Sequence, residues 1–376
     1  MPVSLGIQVK QLVCRAVSVG SGGFAVVVLV LAVRAEAIDL AVYRAAGEVV
    51  LSGGNLYDAA VWRDLKFTYP PVAAVVFVPF ALVSPFVAKV CAVAGNGALL
   101  VFIVRRSWRA IGGRPVVAVV VGFVLLTEAV HASIYVGQVN LLLVALVLGD
   151  LTGRGRGIGV GLAAGLKLTP LVFVVYLVVV GRFRDAAVAV GVAIGTVVVG
   201  FVILPADSVT YWFGGVVGDP SRIYADLTST HNQSLRGLLL RAGLPDLWPW
   251  IAALVCLVTF LIARRCDRLL AVTLVGLCAA AVSPWSWGHH WVWIIPLTVV
   301  VADRVFLRGQ RIWAVPGVLL LATFPWVLAL ADPPDGAGPA VLAEGPLWFL
   351  VGNLYLVLFA VVLALAANSR TGPAEL

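Results

Sequence analysis

An unusually polar stretch, residues 38–71, follows the first long apolar run of the chain. It carries four carboxylates, at Asp39, Glu48, Asp58 and Asp64. An ionisable side chain close to the membrane interior is costly, which makes it a candidate functional group, and a carboxylate can take a proton from a hydroxyl as a general base. Asp39 lies nearest the apolar run and is our candidate base, with a role in ending the first helix as the alternative. The other three carboxylates are interpreted as solvated surface groups.

Further polar clusters occur at residues 128–140, at Lys167, and at residues 228–236 and 283–290, and they contain all four histidines of the chain. Cationic and imidazole side chains suit a phosphate, and the candidates are Lys167, His231, Arg236, His289 and His290. Amide side chains suit sugar hydroxyls, and the candidates are Gln138, Asn140, Asn232 and Gln233. Tyr43 lies one helical turn after Asp39, so we expect it to orient the carboxylate or to contact substrate.

Together, one base, several cations and several amides suit the transfer of a sugar from a phosphate carrier. The base would take the proton of an acceptor hydroxyl, and the cations would hold the departing phosphate. Structural alternatives stay open for three of these groups. His131 has either a structural or a functional role, Lys167 either faces a cavity or reaches a lipid headgroup, and the His289-His290 pair acts on substrate or forms an interfacial hydrogen-bonding pair.

Neither a metal nor a cofactor is expected. The histidines and acids show no H-x-x-x-H or D-x-D spacing, which argues against a metal site. The five cysteines are scattered without a C-x-x-C pair, and we interpret them as small packing residues. The tryptophans at positions 285, 287, 291 and 293 are suited either to stacking on a ligand or to the membrane interface, and we favour the interface.

The overall composition is that of a membrane protein. Hydrophobic residues make up 62% of the 376 residues and charged residues only 12%, with a mean hydropathy of +1.06. The bilayer must therefore be the solvent for most of the chain. The net charge of +8 does not indicate a nucleic-acid partner, because the arginines fall in short clusters between apolar runs, as the positive-inside rule requires.

These patterns predict an all-α polytopic protein with one integral-membrane domain over residues 1–376 and roughly 11–13 transmembrane helices, some of them broken. The chain is expected to cross the plasma membrane, with both termini in the cytoplasm. The loops at 38–71 and 205–247 and the polar clusters are expected on the extracytoplasmic side. Ala35–Ala37 also resembles a signal-peptidase site, but an uncleaved first span fits this topology better. The predicted spans are 17–33, 72–104 (broken near Pro79 and Pro85), 116–130, 141–151, 157–180, 186–204, 248–263, 269–283, 289–303, 312–331 and 346–367.

Two segments have a predicted local structure that bears on the site. Apolar residues at helical spacing from Leu40 to Val50, followed by Gly53, predict a short helix lying in the interface. Basic residues flank both ends of 157–180, which predicts two half-length helices that meet at 167–170. Irregular backbone at membrane depth is tolerated where it lines a cavity or is buried in protein.

Five blocks of the sequence, in order, resemble glycosyltransferase family 87, whose best-known members are actinobacterial polyprenyl-phosphate-mannose-dependent α-1,2-mannosyltransferases. The first block comprises D-L-A-V-Y (39–43), L-S-G-G-N-L-Y-D (51–58) and F-T-Y-P-P (67–71), and Tyr69 within it is a further substrate-contact candidate. The others are G-Q-V-N (137–140), G-L-K-L-T-P (165–170), N-Q-S-L-R-G (232–237) and S-P-W-S-W-G-H-H-W (283–291).

The resemblance implies a GT-C fold and an inverting transfer from a lipid phosphate at the outer leaflet. It implies that Asp39 is the catalytic base and that His289 or His290 lies at the active site. The paired acids of some other GT-C families are absent at the first loop, which is consistent with a metal-independent reaction.

We therefore expect an enzyme that moves mannose from polyprenyl-phosphate-mannose to a lipid-linked or cell-envelope glycan, forming an α-1,2 linkage. The partners would be the donor lipid, the glycan acceptor and the bilayer. One alternative is transfer of another carrier-linked sugar such as arabinofuranose, and another is a transporter or lipid flippase. A transporter needs polar groups that continue to the cytoplasmic side, whereas these stop in the outer half.

Overall fold

The computed structural model describes residues 2–113, 116–224, 226–324, 349–350 and 352–369, with backbone only for 2–14 and 220. Its elements are helices joined by turns, and the described part of the chain contains no strand beyond an isolated bridge between Trp62 and Leu65. This confirms the prediction of an all-α protein.

The helices with described bounds are α1 Pro2–Ala32, α2 Ile38–Ser52, α3 Pro71–Ala81, α4 Pro85–Ala110, α5 Val117–Val124, α6 Glu128–Tyr135, α7 Asn140–Leu151, α8 Ile158–Leu166, α9 Leu171–Val179, α10 Phe183–Ile203, α11 Pro205–Phe213, α12 Leu235–Arg241, α13 Trp248–Ala263, α14 Arg268–Val282, α15 Ile294–Ala302, α16 Ala314–Ala322 and α17 Leu354–Asn368.

Four stretches within these helices are long and apolar enough to cross a bilayer: Arg15–Ala32, Pro85–Ala110, Phe183–Ile203 and Pro245–Ala263. A fifth crossing is available if α5 and α6, which are bent by 80° at their junction, form one broken span. Several other apolar helices are shorter. The multi-pass architecture is thereby confirmed, whereas the count of 11–13 crossings stays a prediction.

The interfacial helix predicted after the first span is α2, and it ends as the sequence indicates. Gly53 follows it in the left-handed conformation, with φ 73°, and donates its N–H to Val49. The helix packs closely on α3, because Gly47 brings the two backbones together: a methyl group at Gly47 would lie 3.1 Å from atoms of Phe77, Val78 and Ala81. Pro79 lies inside α3, so the break predicted there occurs later, at the turn before Pro85.

The broken helix predicted at 167–170 is present. α8 ends at Leu166, Lys167 is extended with φ −153° and ψ 134°, and α9 begins after Pro170. Pro170 lacks an N–H, and the residue before a proline is driven away from helical conformation. Lys167 is therefore held directly after the end of α8, between two half-length helices.

The centre of the bundle is formed by α14 and α15. Of the 15 residues in α14, all from Leu269 to Ala281 are buried, and all but the last residue of α15 are buried as well. A helix that is apolar all round belongs in the interior. The loop between these two helices, 283–293, consequently starts from a rigid base.

Candidate active site

Asp39 is held at the first turn of α2 by main-chain contacts. Its N–H and that of Leu40 both donate to the carbonyl of Val136, at 2.9 and 3.1 Å. Gly137, with φ 77°, permits this approach, since a methyl group there would lie 2.7 Å from the Leu40 Cβ. A carboxylate in the first turn also interacts favourably with the helix dipole. The predicted base is therefore attached to the turn that joins α6 and α7.

Three side chains support Asp39 from one side. The hydroxyl of Tyr43 donates to Gln138 Oε1 at 2.9 Å and lies 2.9 Å from the hydroxyl of Tyr69, which also reaches Gln138 Oε1, at 3.2 Å. With its oxygen occupied in this way, the Gln138 amide nitrogen is free to donate to the Asp39 carboxylate. Tyr43 is 2% exposed and stacks on Phe77 at 4.1 Å, so its geometry suits positioning better than substrate contact.

The protonation of Asp39 is tuned by this environment. Burial raises the pKa of the Asp39 carboxyl to about 6, while the hydrogen bond from Gln138 and the positive charge of Lys167 limit that rise. Desolvation disfavours the charged form of an acid, and a neighbouring donor or cation favours it. A carboxylate with a pKa near 6 is a stronger base than a solvated aspartate and is still ionised at neutral pH.

Lys167 lies opposite Asp39, at the α8–α9 break. Its Nζ donates to Asn140 Oδ1 at 3.2 Å and lies 3.2 Å from His290 Nε2, and it sits 5.5 Å from the centre of the Tyr69 ring. The third N–H of the ammonium group has no protein partner among the described residues. Lys167 therefore faces the site interior, and that third N–H can bind an anion.

The His289-His290 pair closes the site. The two residues occupy a short 3-10 turn, and the carbonyl of His289 accepts from Asn140 Nδ2 at 2.8 Å and from Ser133 Oγ at 3.2 Å. His290 also donates a ring N–H to the backbone of Trp285. The Nε2 atom of His289 is enclosed and has no hydrogen-bond partner, and buried polar atoms of this kind call for an explanation.

Two cavities flank the helix break. One, of about 50 Å³, has Asn140, Lys167 and His290 among otherwise mainly apolar lining residues. The other, of about 220 Å³, is almost wholly apolar and lies between α3, α8 and α10, with Pro70, Leu168 and Trp212 among its lining residues. The irregular backbone at 167–170 therefore lines cavities on both sides, as predicted.

The block 228–236 behaves differently from the other predicted clusters. Asn232 is fully buried, and its side chain bonds Ser234, the Ser286 N–H and the Leu227 carbonyl. Gln233 donates to the carbonyls of Thr230 and Gly352. These contacts hold loops together. A sugar-binding role for Asn232 and Gln233 stays a prediction that the observed bonding does not favour.

Two cations of the predicted set lie away from Lys167. Arg236 lies over the Trp248 ring at 5.2 Å, and His231 is exposed at 5.9 Å from the Trp287 ring. His131 is half-buried and stacks on Tyr135 at 4.0 Å, which favours a structural role over a functional one. The arginine that the fold buries in this region is Arg241, whose guanidinium bonds Ser229 and Asn353.

Glu128, in the polar cluster 128–140, makes two specific contacts that the sequence does not indicate. Its carboxylate accepts from the hydroxyl of Tyr355 at 2.5 Å and touches the Cα of Gly288, where a methyl group would overlap it. Tyr355 in turn stacks on Trp291 at 5.2 Å. Glu128 therefore supports the histidine turn from beneath. No local pattern links Glu128 with a residue more than 200 positions away.

The tryptophans of the 283–293 loop correct an expectation from the sequence. Trp285, Trp291 and Trp293 are at most 7% exposed and pack inside the bundle, so they do not form an interfacial belt. Only Trp287 of this group is partly exposed. Among the described residues no three His, Cys, Asp or Glu side chains converge as a metal ion would require, and metal independence stays a prediction.

Comparisons with known proteins define the class to which this chain belongs. Residues 67–284 match the model of glycosyltransferase family 87. The chain is 33% identical over 324 residues to a polyprenol-phosphate-mannose-dependent alpha-(1-2)-phosphatidylinositol mannoside mannosyltransferase of Mycolicibacterium smegmatis, covering 73% of this chain and 72% of that one. It is 34% identical over 366 residues to a phosphatidylinositol pentamannoside mannosyltransferase of the same organism, covering 90% and 87%.

A solved structure, ArnT from Cupriavidus metallidurans bound to undecaprenyl phosphate, aligns over 93% of this chain and 78% of its own, with a TM-score of 0.41 and 16% identity. The protein is a membrane-embedded glycosyltransferase, because its family is one of glycosyltransferases and its helices are those of a multi-pass membrane protein. It belongs to glycosyltransferase family 87. Membership confirms the predicted resemblance and excludes the transporter alternative.

Proposed function

We propose that this glycosyltransferase moves mannose from polyprenyl-phosphate-mannose to a hydroxyl of a glycolipid acceptor, with inversion at the anomeric carbon. The observation that carries the proposal is the proximity of a proton acceptor and a cation: the charge of Lys167 acts on the Asp39 carboxylate, and Lys167 borders a small cavity with an N–H that has no partner among the described residues. A transfer from a sugar phosphate needs these two groups at its two ends.

The reaction follows from this arrangement. Asp39 takes the proton of the acceptor hydroxyl while the oxygen forms a bond to the anomeric carbon. The bond from that carbon to the carrier phosphate breaks, and the phosphate leaves with the electron pair towards the ammonium group of Lys167, which Asn140 and His290 orient. A single displacement inverts the centre, so a β-linked donor gives an α product. Gln138, Tyr43 and Tyr69 hold Asp39 in place and do not exchange protons with substrate.

The apolar cavity beside Lys167 supports a lipid donor. Its volume of about 220 Å³ suits part of an isoprenoid chain, since apolar cavities take apolar ligands. Leu168 and Gly165, on either side of Lys167, line it. A carrier whose phosphate is at Lys167 can therefore place its first isoprene units here and continue into the bilayer between the helices.

The identity of the sugar and the linkage rest on the relatives. Both mycobacterial proteins named above depend on polyprenol-phosphate-mannose and form alpha-(1-2) linkages to phosphatidylinositol mannosides. We infer the same donor and an acceptor of the same chemical kind. The site is inferred to face the extracytoplasmic side, with both termini in the cytoplasm, because arginine clusters occupy the opposite ends of the same helices.

The deciding experiment uses purified protein in lipid nanodiscs with radiolabelled polyprenyl-phosphate-mannose and a phosphatidylinositol mannoside. Asp39→Asn is expected to lower the transfer rate by about 10²- to 10⁴-fold, the usual contribution of a positioned general base. The matched control is Glu48→Gln, an acid on the exposed face of the same helix, which should transfer at the wild-type rate.

Three outcomes would contradict parts of the proposal. Equal transfer by wild type and Asp39→Asn would remove Asp39 from the role of base. Transfer by wild type from a carrier-linked arabinofuranose, but not from the mannose donor, would replace the sugar. A β-linked product would show retention and would exclude a single displacement.

A further inference from the structure

An aromatic ladder extends from the histidine turn towards solvent. We use this name for Trp285, Trp287, Tyr224 and His231. Trp287 is at its centre, 4.9 Å from Trp285, 5.4 Å from Tyr224 and 5.9 Å from His231, measured between ring centroids. Trp285 is buried, Trp287 is partly exposed, and Tyr224 and His231 are exposed. The ladder therefore has a fixed base and an accessible edge.

The ladder is continuous with the reacting centre. The Trp287 ring is nearly parallel to that of His289, with an angle of 19° and 6.1 Å between centroids. His289 contacts His290 at 4.9 Å, and His290 reaches Lys167. A molecule lying on Trp287 would therefore be next to the groups that we assign to the donor phosphate.

Polar atoms without partners accompany these rings. His289 Nε2, Trp285 Nε1 and Ser286 Oγ are enclosed and make no hydrogen bond in the described structure. A pyranose ring has an apolar C–H face and a rim of hydroxyls, so it matches the partly exposed ring of Trp287 with the exposed side chains of Tyr224 and His231 at its edge.

The surroundings distinguish the ladder from a lipid-facing surface. The outer face of α13 is lipid-like, with Trp250, Leu254 and Leu257 exposed by 77, 57 and 52% and apolar throughout. The loop beside the ladder instead carries Asp226 and Thr228, which bond each other at 2.6 Å, followed by two more hydroxyl residues. A membrane interface alone does not account for this polar setting.

The donor has its own route. The residues that line the apolar cavity, from Pro70 to Trp212, include none of the ladder and none of the 283–291 block. Gly165 and Leu168 line that cavity on either side of Lys167, and Lys167 reaches His290, so the two surfaces approach each other at this pair.

We propose that Trp287, flanked by Tyr224 and His231, is a binding platform for a pyranose ring of the acceptor glycan. This rests on the proposed function, because it presumes that the acceptor carries sugars. The platform holds the ring whose hydroxyl reacts, or the ring beside it, so that the hydroxyl is presented to Asp39.

The test measures steady-state transfer from polyprenyl-phosphate-mannose to a phosphatidylinositol mannoside in nanodiscs, for wild type, Trp287→Ala and Trp287→Phe. Trp287→Ala is expected to raise the acceptor KM about tenfold, the effect of losing one good stacking contact. The donor KM and the rate at saturating acceptor should be unchanged, and Trp287→Phe should keep most of the affinity. Trp250→Ala, an exposed tryptophan on α13, is the matched control and should change nothing.

Several results would overturn the platform. A fall in kcat with an unchanged acceptor KM would mean that Trp287 only positions His289. A raised donor KM would assign the ring to the donor. An equal effect of Trp250→Ala, or an effect that depends on nanodisc lipid composition, would identify a bilayer contact.

A binding measurement separates this proposal from the proposed function. Equilibrium binding of the phosphatidylinositol mannoside is measured without donor, by wild type and Trp287→Ala. Weaker binding by the variant supports the platform, and equal binding, including none by either protein, overturns it. Failure of the wild type to transfer label contradicts the proposed function alone, since binding does not depend on donor or chemistry.

Discussion

The two ends of the helices α7, α8, α14 and α15 use charged residues in opposite ways. One end, which we call the site end, carries Asn140, Lys167 and the histidine turn. The far end of the same helices carries acids and arginines of its own. Asn140 and Asp150 mark the two ends of α7, about 15 Å apart at 1.5 Å per residue. Each of these helices therefore has one end of each kind.

At the far end, charged groups are matched with partners. The Asp150 carboxylate accepts from the N–H groups of Gly157 and Val160, both at 3.0 Å, and so caps α8. Arg304, which is 1% exposed, pairs with Asp267, the residue that caps α14. Arg308 pairs with Asp303 at 2.7 Å. These contacts join helix ends and leave their acids occupied.

At the site end the partners are weaker and incomplete. Asp39 is supported by an amide, and within the described part of the chain Lys167 keeps an unused N–H and His289 has an enclosed nitrogen without a partner. The difference indicates a division of roles: the far end stabilises the bundle, and the site end keeps bonding capacity for substrate.

The largest expected effect on stability is at Arg304. Arg304→Met should lower the free energy of unfolding by about 1.5–3 kcal/mol, because it removes the charge-assisted hydrogen bond from the buried guanidinium to the partly exposed Asp267 carboxylate. Thermal unfolding in detergent measures the change, and transfer per folded molecule should stay at the wild-type level. Arg308→Met, at a half-exposed pair, is the control and should cost at most about 1 kcal/mol. Comparable losses of unfolding free energy in both variants would contradict the expectation that the buried ion pair stabilises the bundle more than the exposed one.

Lys167 should show the reverse pattern. Lys167→Gln is expected to lower transfer by about 10²- to 10³-fold, as loss of one charge-stabilising contact does, while thermal unfolding changes little. The same nanodisc assay and unfolding curve report both quantities. A variant that unfolds early but transfers normally would place Lys167 with the structural charges and would contradict the proposed function.

The pH dependence tests the tuning of Asp39. Because burial raises the pKa of Asp39 to about 6, the base is protonated below that pH, and kcat/KM should fall about tenfold per pH unit under pH 6. The Lys167 charge lowers the pKa of Asp39. Removing that charge in Lys167→Gln should therefore move the acid limb of the kcat/KM profile to higher pH. A limb near pH 4 in the wild type would mean that Asp39 titrates as a solvated acid.

The smallest expected effect is at Asp150. Asp150→Ala removes a helix-capping carboxylate and should cost about 0.5–2 kcal/mol of stability, without changing the donor or acceptor KM. Asp150→Asn, which can still accept one hydrogen bond, should recover part of the loss. A raised KM in Asp150→Ala would show that the two ends of α8 are coupled and that the division of roles is incomplete.

The sequence predicted the parts of the site that depend on local chemistry. Two polar groups were identifiable because they interrupt apolar runs, namely Lys167 before Pro170 and the pair His289-His290. The helix from Ile38 to Ser52 was predictable from its apolar spacing and from Gly53. In each case the physical signal lies within a few residues, and the structure brings Lys167 and His290 to one cavity.

What the sequence did not predict depends on distant contacts. Asn232 and Gln233 have the same chemistry as Gln138 and Asn140, yet the Asn232 oxygen accepts from Ser286 and the Gln233 nitrogen donates to Gly352. Glu128 is similarly matched with Tyr355. Whether a polar side chain is free or occupied is decided by tertiary partners, so composition and spacing alone cannot separate a ligand group from a structural one.

The attachment of Asp39 through the carbonyl of Val136 has a consequence for how such enzymes diversify. The carboxylate is located by main-chain atoms and by the absence of a side chain at Gly137. Residues on the outward face of α2, such as Glu48 and Leu51, take no part in that attachment. They can be exchanged to suit a different acceptor surface while the proton acceptor keeps its coordinates, so one catalytic geometry can serve a series of products.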